Sequence, residues 1–168
     1  DNSSIRLDFN ALPNVQYKLG IATNGATNFQ QAGTIYNTTT HTIGNLRTDD
    51  NFYCFQLAAF DPCNNVVINS AVICSQNFDI NSRNKAIDAT WTTSTTGITG
   101  YSLTRTATDG STFVTSPVGS PYTDVDITCG IQYCYRLTSE YGNGSRSISV
   151  EERGDGLSTD TPTGVNNI

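Results

Sequence analysis

The chain has 168 residues, 15 acidic against nine basic side chains, a formal charge of −6, five cysteines and no methionine. That balance excludes duplex nucleic acid as a partner, because so few cations cannot neutralise a row of phosphates. No run of about 18 apolar residues is present to cross a bilayer as a transmembrane helix, and few charges with abundant Thr, Asn, Ser and Gly describe a secreted or cell-surface protein better than a cytosolic enzyme. No leader is visible, as expected of a mature chain or of a part of a larger one.

In chain order, Ile5, Leu7 and Phe9 alternate with Arg6 and Asp8, the period of two that marks a half-buried strand. Val15, Tyr17, Leu19 and Ile21 repeat the pattern, and Asn24-Gly25 supplies a turn. Ile43-Gly44-Asn45-Leu46 leads through a polar turn to Asn51-Phe52-Tyr53-Cys54-Phe55-Gln56-Leu57, and Asp61-Pro62 turns the chain back. A boundary falls near residues 74–84, after which Ile87, Ala89 and Trp91 form a strand, followed by Tyr101 and Leu103 and the turn Asp109-Gly110. Val125-Asp126-Ile127 then leads to Gln132-Tyr133-Cys134-Tyr135-Arg136-Leu137, and Gly142-Asn143-Gly144 closes a hairpin. The two Tyr-Cys pairs lie 80 residues apart, and the upstream strands match at offsets of 82 to 84, so whole modules repeat. Short strands at this spacing predict an all-β chain of two tandem β-sandwiches, residues 1–77 and 78–154, each benefiting from staples because modules of about 80 residues have thin cores. From Gly154 the pattern dissolves, and residues 155–168 read as a linker. Phe9, Tyr17, Tyr53, Trp91, Tyr101 and Tyr133 occupy core-phase positions, with Tyr53 or Tyr133 seating its hydroxyl in the corner before its strand.

Tyr122-Thr123-Asp124, Ile127, Gly130 and Tyr133-Cys134-Tyr135-Arg136-Leu137, preceded by Trp91 and Ile98-Thr99-Gly100-Tyr101, resemble an immunoglobulin-like fibronectin type III domain. The resemblance implies a corner running from Ile127 to Tyr133; in the first module Phe9 stands for the Trp, and Leu46 to Tyr53 is one residue longer. It covers about residues 3 to 153 and speaks to fold more than to activity. The phrases Thr128-Cys129-Gly130-Ile131-Gln132-Tyr133-Cys134-Tyr135 and Phe60-Asp61-Pro62-Cys63-Asn64-Asn65 resemble the large secreted proteins of Bacteroidetes associated with gliding motility. The tail Thr163-Gly164-Val165-Asn166-Asn167-Ile168 resembles the lead-in to a type IX secretion sorting domain, although the Tyr-Pro-Asn-Pro that follows it there is absent from these residues. This implies neighbouring modules of the same chain and the type IX machinery as partners.

The cysteines carry the sharpest chemistry. In the strand beginning at Tyr53 the core set is Tyr53, Phe55 and Leu57, so Cys54 faces outward, and Cys134 does by the same logic. A hairpin turning around residues 61–65 sets Cys54 opposite Cys74, at a spacing a disulfide tolerates, whereas about six residues at roughly 3.3 Å each part Cys54 from Cys63. Hence Cys54 is expected to pair with Cys74 and Cys63 to be a free thiol. Cys134 would face Glu152, leaving Cys129 as its local partner. One histidine, His41, and cysteines split between modules speak against zinc, and no cofactor is implied.

No catalytic constellation appears: His41 lies on an exposed strand beside a threonine run, and the carboxylates are scattered over turns. Asp49 with Asp50 and Asp124 with Asp126 could ligate Ca²⁺ but read better as solvated turns. Arg153-Gly154-Asp155 spells an integrin tripeptide at a strand end rather than on a loop, and the sequons at Asn2, Asn37 and Asn143 read as polar turns. Tyr36, Phe113 and Tyr141 fall outside the core phase and are candidates for stacking on sugars. The expectation is a non-enzymatic stalk, spacer or adhesin repeat facing an unknown glycan or protein ligand, with a carbohydrate-binding accessory module of a polysaccharide-degrading enzyme as the alternative.

Overall fold

The computed structural model describes residues 3–61 and 63–160. The described chain is all-β, in two sandwiches built on one plan. In the first, β1 (Ile5–Asp8) pairs with β4 (Thr40–Ile43), facing a sheet in which β2 (Gln16–Thr23) lies between β3 (Gln30–Tyr36) and β5 (Tyr53–Asp61). β5 also pairs with β6 (Val66–Asn69) and β7 (Ile73–Cys74), two pieces of one interrupted strand.

The second sandwich opens with β8 (Asn77–Arg83), which pairs with β9 (Ala86–Thr92), and β9 pairs with β12 (Tyr122–Asp124). The facing sheet runs from β11 (Thr112–Thr115) through β10 (Ile98–Ala107) to β13 (Gln132–Tyr141), with β14 (Arg146–Ile148) and β15 (Glu152–Asp155) as its divided last strand. These are two tandem immunoglobulin-like, fibronectin type III-like β-sandwiches.

The strand boundaries depart little from the repeat read in the sequence, except at the end. Residues 155–160 are not free linker: Gly156 N–H donates to Ile131 O (2.8 Å), Lys85 N–H to Leu157 O (2.9 Å) and Thr159 N–H to Asn84 Oδ1 (2.9 Å). The tail read as a sorting lead-in, 163–168, lies outside the described residues.

Alternation in β13 buries Tyr133, Tyr135, Leu137, Ser139 and Tyr141 on one face, because side chains two apart share a face. Tyr133, Tyr135 and Leu137 join Ile87, Ala89, Trp91 and Leu103 in the core of the second module, where Trp91 meets Tyr101 at 5.3 Å between ring centroids. The first core is thinner. Leu19, Ile35, Tyr53 and Phe55 are buried, whereas Phe9 and Tyr17 are only half-buried, as is Tyr101 in the second. The Tyr17 hydroxyl reaches out of its core to accept from Leu12 N–H at 3.0 Å.

Trp91→Ala is expected to destabilise the second module by about 3–5 kcal/mol, and Phe9→Ala the first by about half as much because Phe9 is half-solvated already. Urea unfolding followed by circular dichroism checks both. Equal losses would contradict the difference in burial.

Candidate functional site

Both sandwiches fix their longest strand with a tyrosine. Tyr53 Oη accepts from Arg47 N–H at 3.0 Å and Tyr133 Oη accepts from Thr128 N–H at 2.7 Å, while Leu46 and Ile127, the preceding residues, pack on the two cores. The extra residue of the first corner is absorbed in the turn before β5. There Asn51 N–H donates to Arg47 O, and Asn24 holds Asn51 Oδ1 (2.7 Å) and Phe52 N–H (3.2 Å).

A second repeated device was not read from the sequence. Ser70 and Ser149 interrupt the last strand of each module. Leu57 N–H donates to Ser70 Oγ and Leu137 N–H to Ser149 Oγ, each at 2.9 Å, and each serine N–H donates back to the same leucine's carbonyl at 2.8 Å. A side-chain oxygen thus replaces a ladder acceptor, and the register moves by one residue across the break. Before it, Ala58 faces Asn69; after it, Cys54 faces Cys74 where an unbroken ladder would have placed Ile73. In the second module the same step sets Cys134 opposite Arg153, not Glu152 as the uninterrupted hairpin would have it.

Cys54 and Cys74 form a disulfide spanning 20 residues. Cys54 points away from the sandwich core yet is 3% exposed, because Ala22, Phe52 and the half-buried Phe29 and Val72 cover the bridge. Cys63 is free and exposed in the hairpin turn. Cys129 and Cys134 are free as well, against the expected bridge. The rise that keeps Cys63 from Cys54 applies here too: Cys129 lies in the turn before β13 and Cys134 is three positions into it, too far along an extended chain at about 3.3 Å per residue. Burial, with the Glu151 carboxylate beside it, pushes the Cys134 thiol up.

A buried charge cluster also escaped the sequence reading. Arg105 Nη1 donates to both Asp124 oxygens (3.0 and 2.9 Å), and Tyr135 Oη donates to Asp124 Oδ2 (2.9 Å). Arg105 and Asp124 side chains are 13% and 5% exposed, and burial followed by the Asp124 hydrogen bond pushes the Tyr135 hydroxyl far up. The guanidinium stacks on Phe113 and Tyr133, 5.1 and 5.2 Å from their centroids, so this face of Phe113 is occupied. Every group faces a fixed partner, which is the arrangement of a structural network.

The other candidates are dispersed. Tyr36 is exposed on β3 of the first module and Phe113 lies on β11 of the second, so they belong to different sheets. Tyr141 is buried, not exposed: its hydroxyl accepts from Cys74 N–H (2.9 Å) and donates to Cys74 O (3.1 Å), across the modules. His41 is half-buried opposite Leu7 and packs over Gly33, where an added Cβ would meet its Nε2 at 3.6 Å. Arg153, Gly154 and Asp155 lie within β15, and Gly154 is pressed so closely on Ile80 that an added Cβ would fall 2.8 Å from it. Asp50 pairs with Arg47, and among the described residues no three His, Cys, Asp or Glu side chains gather as metal ligands. Phe60, Val66, Val67 and Ile68 leave exposed apolar surface at the tip of the β5–β6 hairpin.

No family model matches the chain, and no curated protein does. Among solved structures it is similar to a pectate lyase from Pectobacterium carotovorum, at 17% identity over 50% of this chain and 27% of that one, with a TM-score of 0.42. It is also similar to the FN1–FN3 domains of chicken CNTN1, at 10% identity over 93% of this chain and 63% of that one, with a TM-score of 0.41. The chain spans less than two thirds of either structure.

Peptide mapping without reduction is expected to return a Cys54–Cys74 crosslink and three alkylatable thiols, Cys134 reacting slowest. Closing a loop of this length stabilises by about 3 kcal/mol on chain-entropy grounds, so reduction should loosen the first module and leave the second unchanged. Arg105→Ala, which strands the Asp124 carboxylate, should cost the second module about 3–5 kcal/mol by chemical unfolding, and Arg105→Met with Asp124→Leu and Tyr135→Phe, which leaves none of the three groups unpaired, should recover most of it.

Proposed function

We propose that the chain is a non-enzymatic, rigid spacer of a secreted or cell-surface protein, holding other elements at a fixed distance and angle. The observation that carries this reading is the junction. Only Ser75 and Gln76 separate β7 from β8, and both are tied into hydrogen bonds across the modules. Gln76 Nε2 donates to Leu137 O and Ser147 O, each at 3.0 Å, and Gln76 Oε1 accepts from Ser147 Oγ at 2.7 Å. Thr93 Oγ1 donates to Ser75 O (2.9 Å), and Tyr141 closes on Cys74. Because Cys74 is covalently held to Cys54 in the middle of the first core sheet, a load on the junction passes into β5 rather than into a free strand end.

A flexible tether would need none of this, since a link with unpaired backbone costs less to leave mobile. The disulfide suits an oxidising compartment and supports an extracellular location. Long parent proteins delivered by type IX secretion remain the source that the cysteine phrases favour, with the neighbouring modules as mechanical partners.

Backbone ¹⁵N relaxation tests the spacer. Both modules should share one rotational correlation time, and Tyr141→Ala combined with Gln76→Ala should split it into two shorter ones without unfolding either module. Two independent correlation times in the unaltered chain would end this reading. So would saturable retention on a polysaccharide, which would make the chain a binding module.

A further inference from the structure

One residue is held by both modules. Cys74 donates its N–H to Tyr141 Oη at 2.9 Å and accepts from the same hydroxyl on its C=O at 3.1 Å, so both of its backbone groups turn to the second module. The first module holds Cys74 through its sulfur. Alternate facing pairs of an antiparallel ladder exchange no backbone hydrogen bonds, and at the facing pair Cys54 and Cys74 the disulfide supplies the link instead.

Around that link the strand is sparsely laced. β7 has two residues and is parted from β6 by the break at Ser70. Beyond Cys74 the ladder continues in Ser75, whose N–H donates to Tyr53 O (2.8 Å) and whose Oγ accepts from Tyr53 N–H (2.9 Å), a rotatable side chain standing in for a main-chain acceptor. The second module is built otherwise. There β15 has four residues, Gly156 carries the bonding on to Ile131 O and Gly130 N–H, and Arg153 faces Cys134 in the place of Cys74. The bridge stands where the returning strand is shorter.

Packing separates the bridge from the core. Ala22, Phe52, Cys54 and Cys74, with Phe29 and Val72, form a cluster on the outer side of the sheet, apart from Leu19, Ile35, Tyr53 and Phe55 inside the sandwich. Opening the bridge removes the middle of the outer cluster and leaves the inner one in place. Cys54 and Cys74 are 3% and 1% exposed, so a reductant reaches them only when that outer cluster parts.

We propose that the Cys54–Cys74 bridge is a redox-sensitive lock on the joint between the modules. The step is thiol–disulfide exchange with a dithiol reductant, whose thiolate bonds to one bridge sulfur while the other cysteine leaves as a thiolate and takes up a proton. The reductant's second thiol then displaces the first cysteine. Two cysteine thiols and one oxidised reductant result. In the reduced chain Ser70 stays fixed on Leu57 and Gln76 on Ser147, so residues 71–75 become a hinge as β7 leaves β5. This inference rests on the spacer reading and is its regulation: the oxidised chain is stiff and the reduced chain is jointed.

The test uses the 168-residue chain, oxidised and after reduction with dithiothreitol, followed by backbone ¹⁵N relaxation and amide exchange. The oxidised chain should show one rotational correlation time and the reduced chain two, each about half as long, as for bodies half the size. Amides of Ile73 to Gln76 should exchange at least about tenfold faster on reduction, while those of Leu19 and Ile35 keep their protection. Cys54→Ala with Cys74→Val, which removes the bond and keeps the outer cluster apolar, should behave as the reduced chain does and ignore dithiothreitol. One correlation time in both redox states would leave the spacer standing and overturn the lock. Loss of protection throughout the first module, on reduction or in the double variant, would make the bridge a staple of the fold and overturn the lock as well. Two correlation times in the oxidised chain would instead end the spacer reading, and with no rigid joint there would be nothing to lock.

Discussion

The register of the longest strand in each module governs the rest, and it is fixed from both sides. A tyrosine hydroxyl ties the start of β5 or β13 to the corner before it, and a serine hydroxyl interrupts the strand that returns alongside. A slip of one residue would exchange every inward side chain for its outward neighbour. The serine break uses such a step deliberately: the step brings Cys74, and not Ile73, opposite Cys54, and lets the strand leave the sheet toward the next module. Without it the disulfide would have no partner and the junction no anchored end.

The two modules spend this shared plan differently. The second has a tryptophan in the core and a buried Arg105–Asp124–Tyr135 cluster, whose desolvation is offset by stacking of the guanidinium and by Arg105 Nη1 reaching both carboxylate oxygens. The first has a phenylalanine there and a thinner core, and carries the disulfide instead. A covalent constraint that disfavours the unfolded chain compensates for apolar area that is not buried. Among the described residues, the staple lies in the module with the smaller buried core.

The junction joins these two solutions. Tyr141 belongs by alternation to β13, yet its hydroxyl is satisfied by the backbone of Cys74, so the end of the second core is completed by the first module. Burial pushes that hydroxyl up.

By itself the sequence determined the repeat, the period of two, the hairpin that brings Cys74 back beside Cys54 and the core role of Trp91, Tyr53 and Tyr133, while the one-residue step at Ser70 that sets the two cysteines directly opposite was not legible there. These are local patterns, legible because alternation and turn residues act over a few positions. Tertiary structure alone decided the rest. Tyr141 keeps the alternation of β13, but that β13 runs as far as Tyr141 and that Cys74, 67 residues away in the other module, satisfies its hydroxyl was decided by the fold, and Arg105 finds Asp124 only because β10 and the end of β12 meet across the sandwich. Cys129 and Cys134 are close in sequence but stay apart, because an extended strand spends its length in one direction.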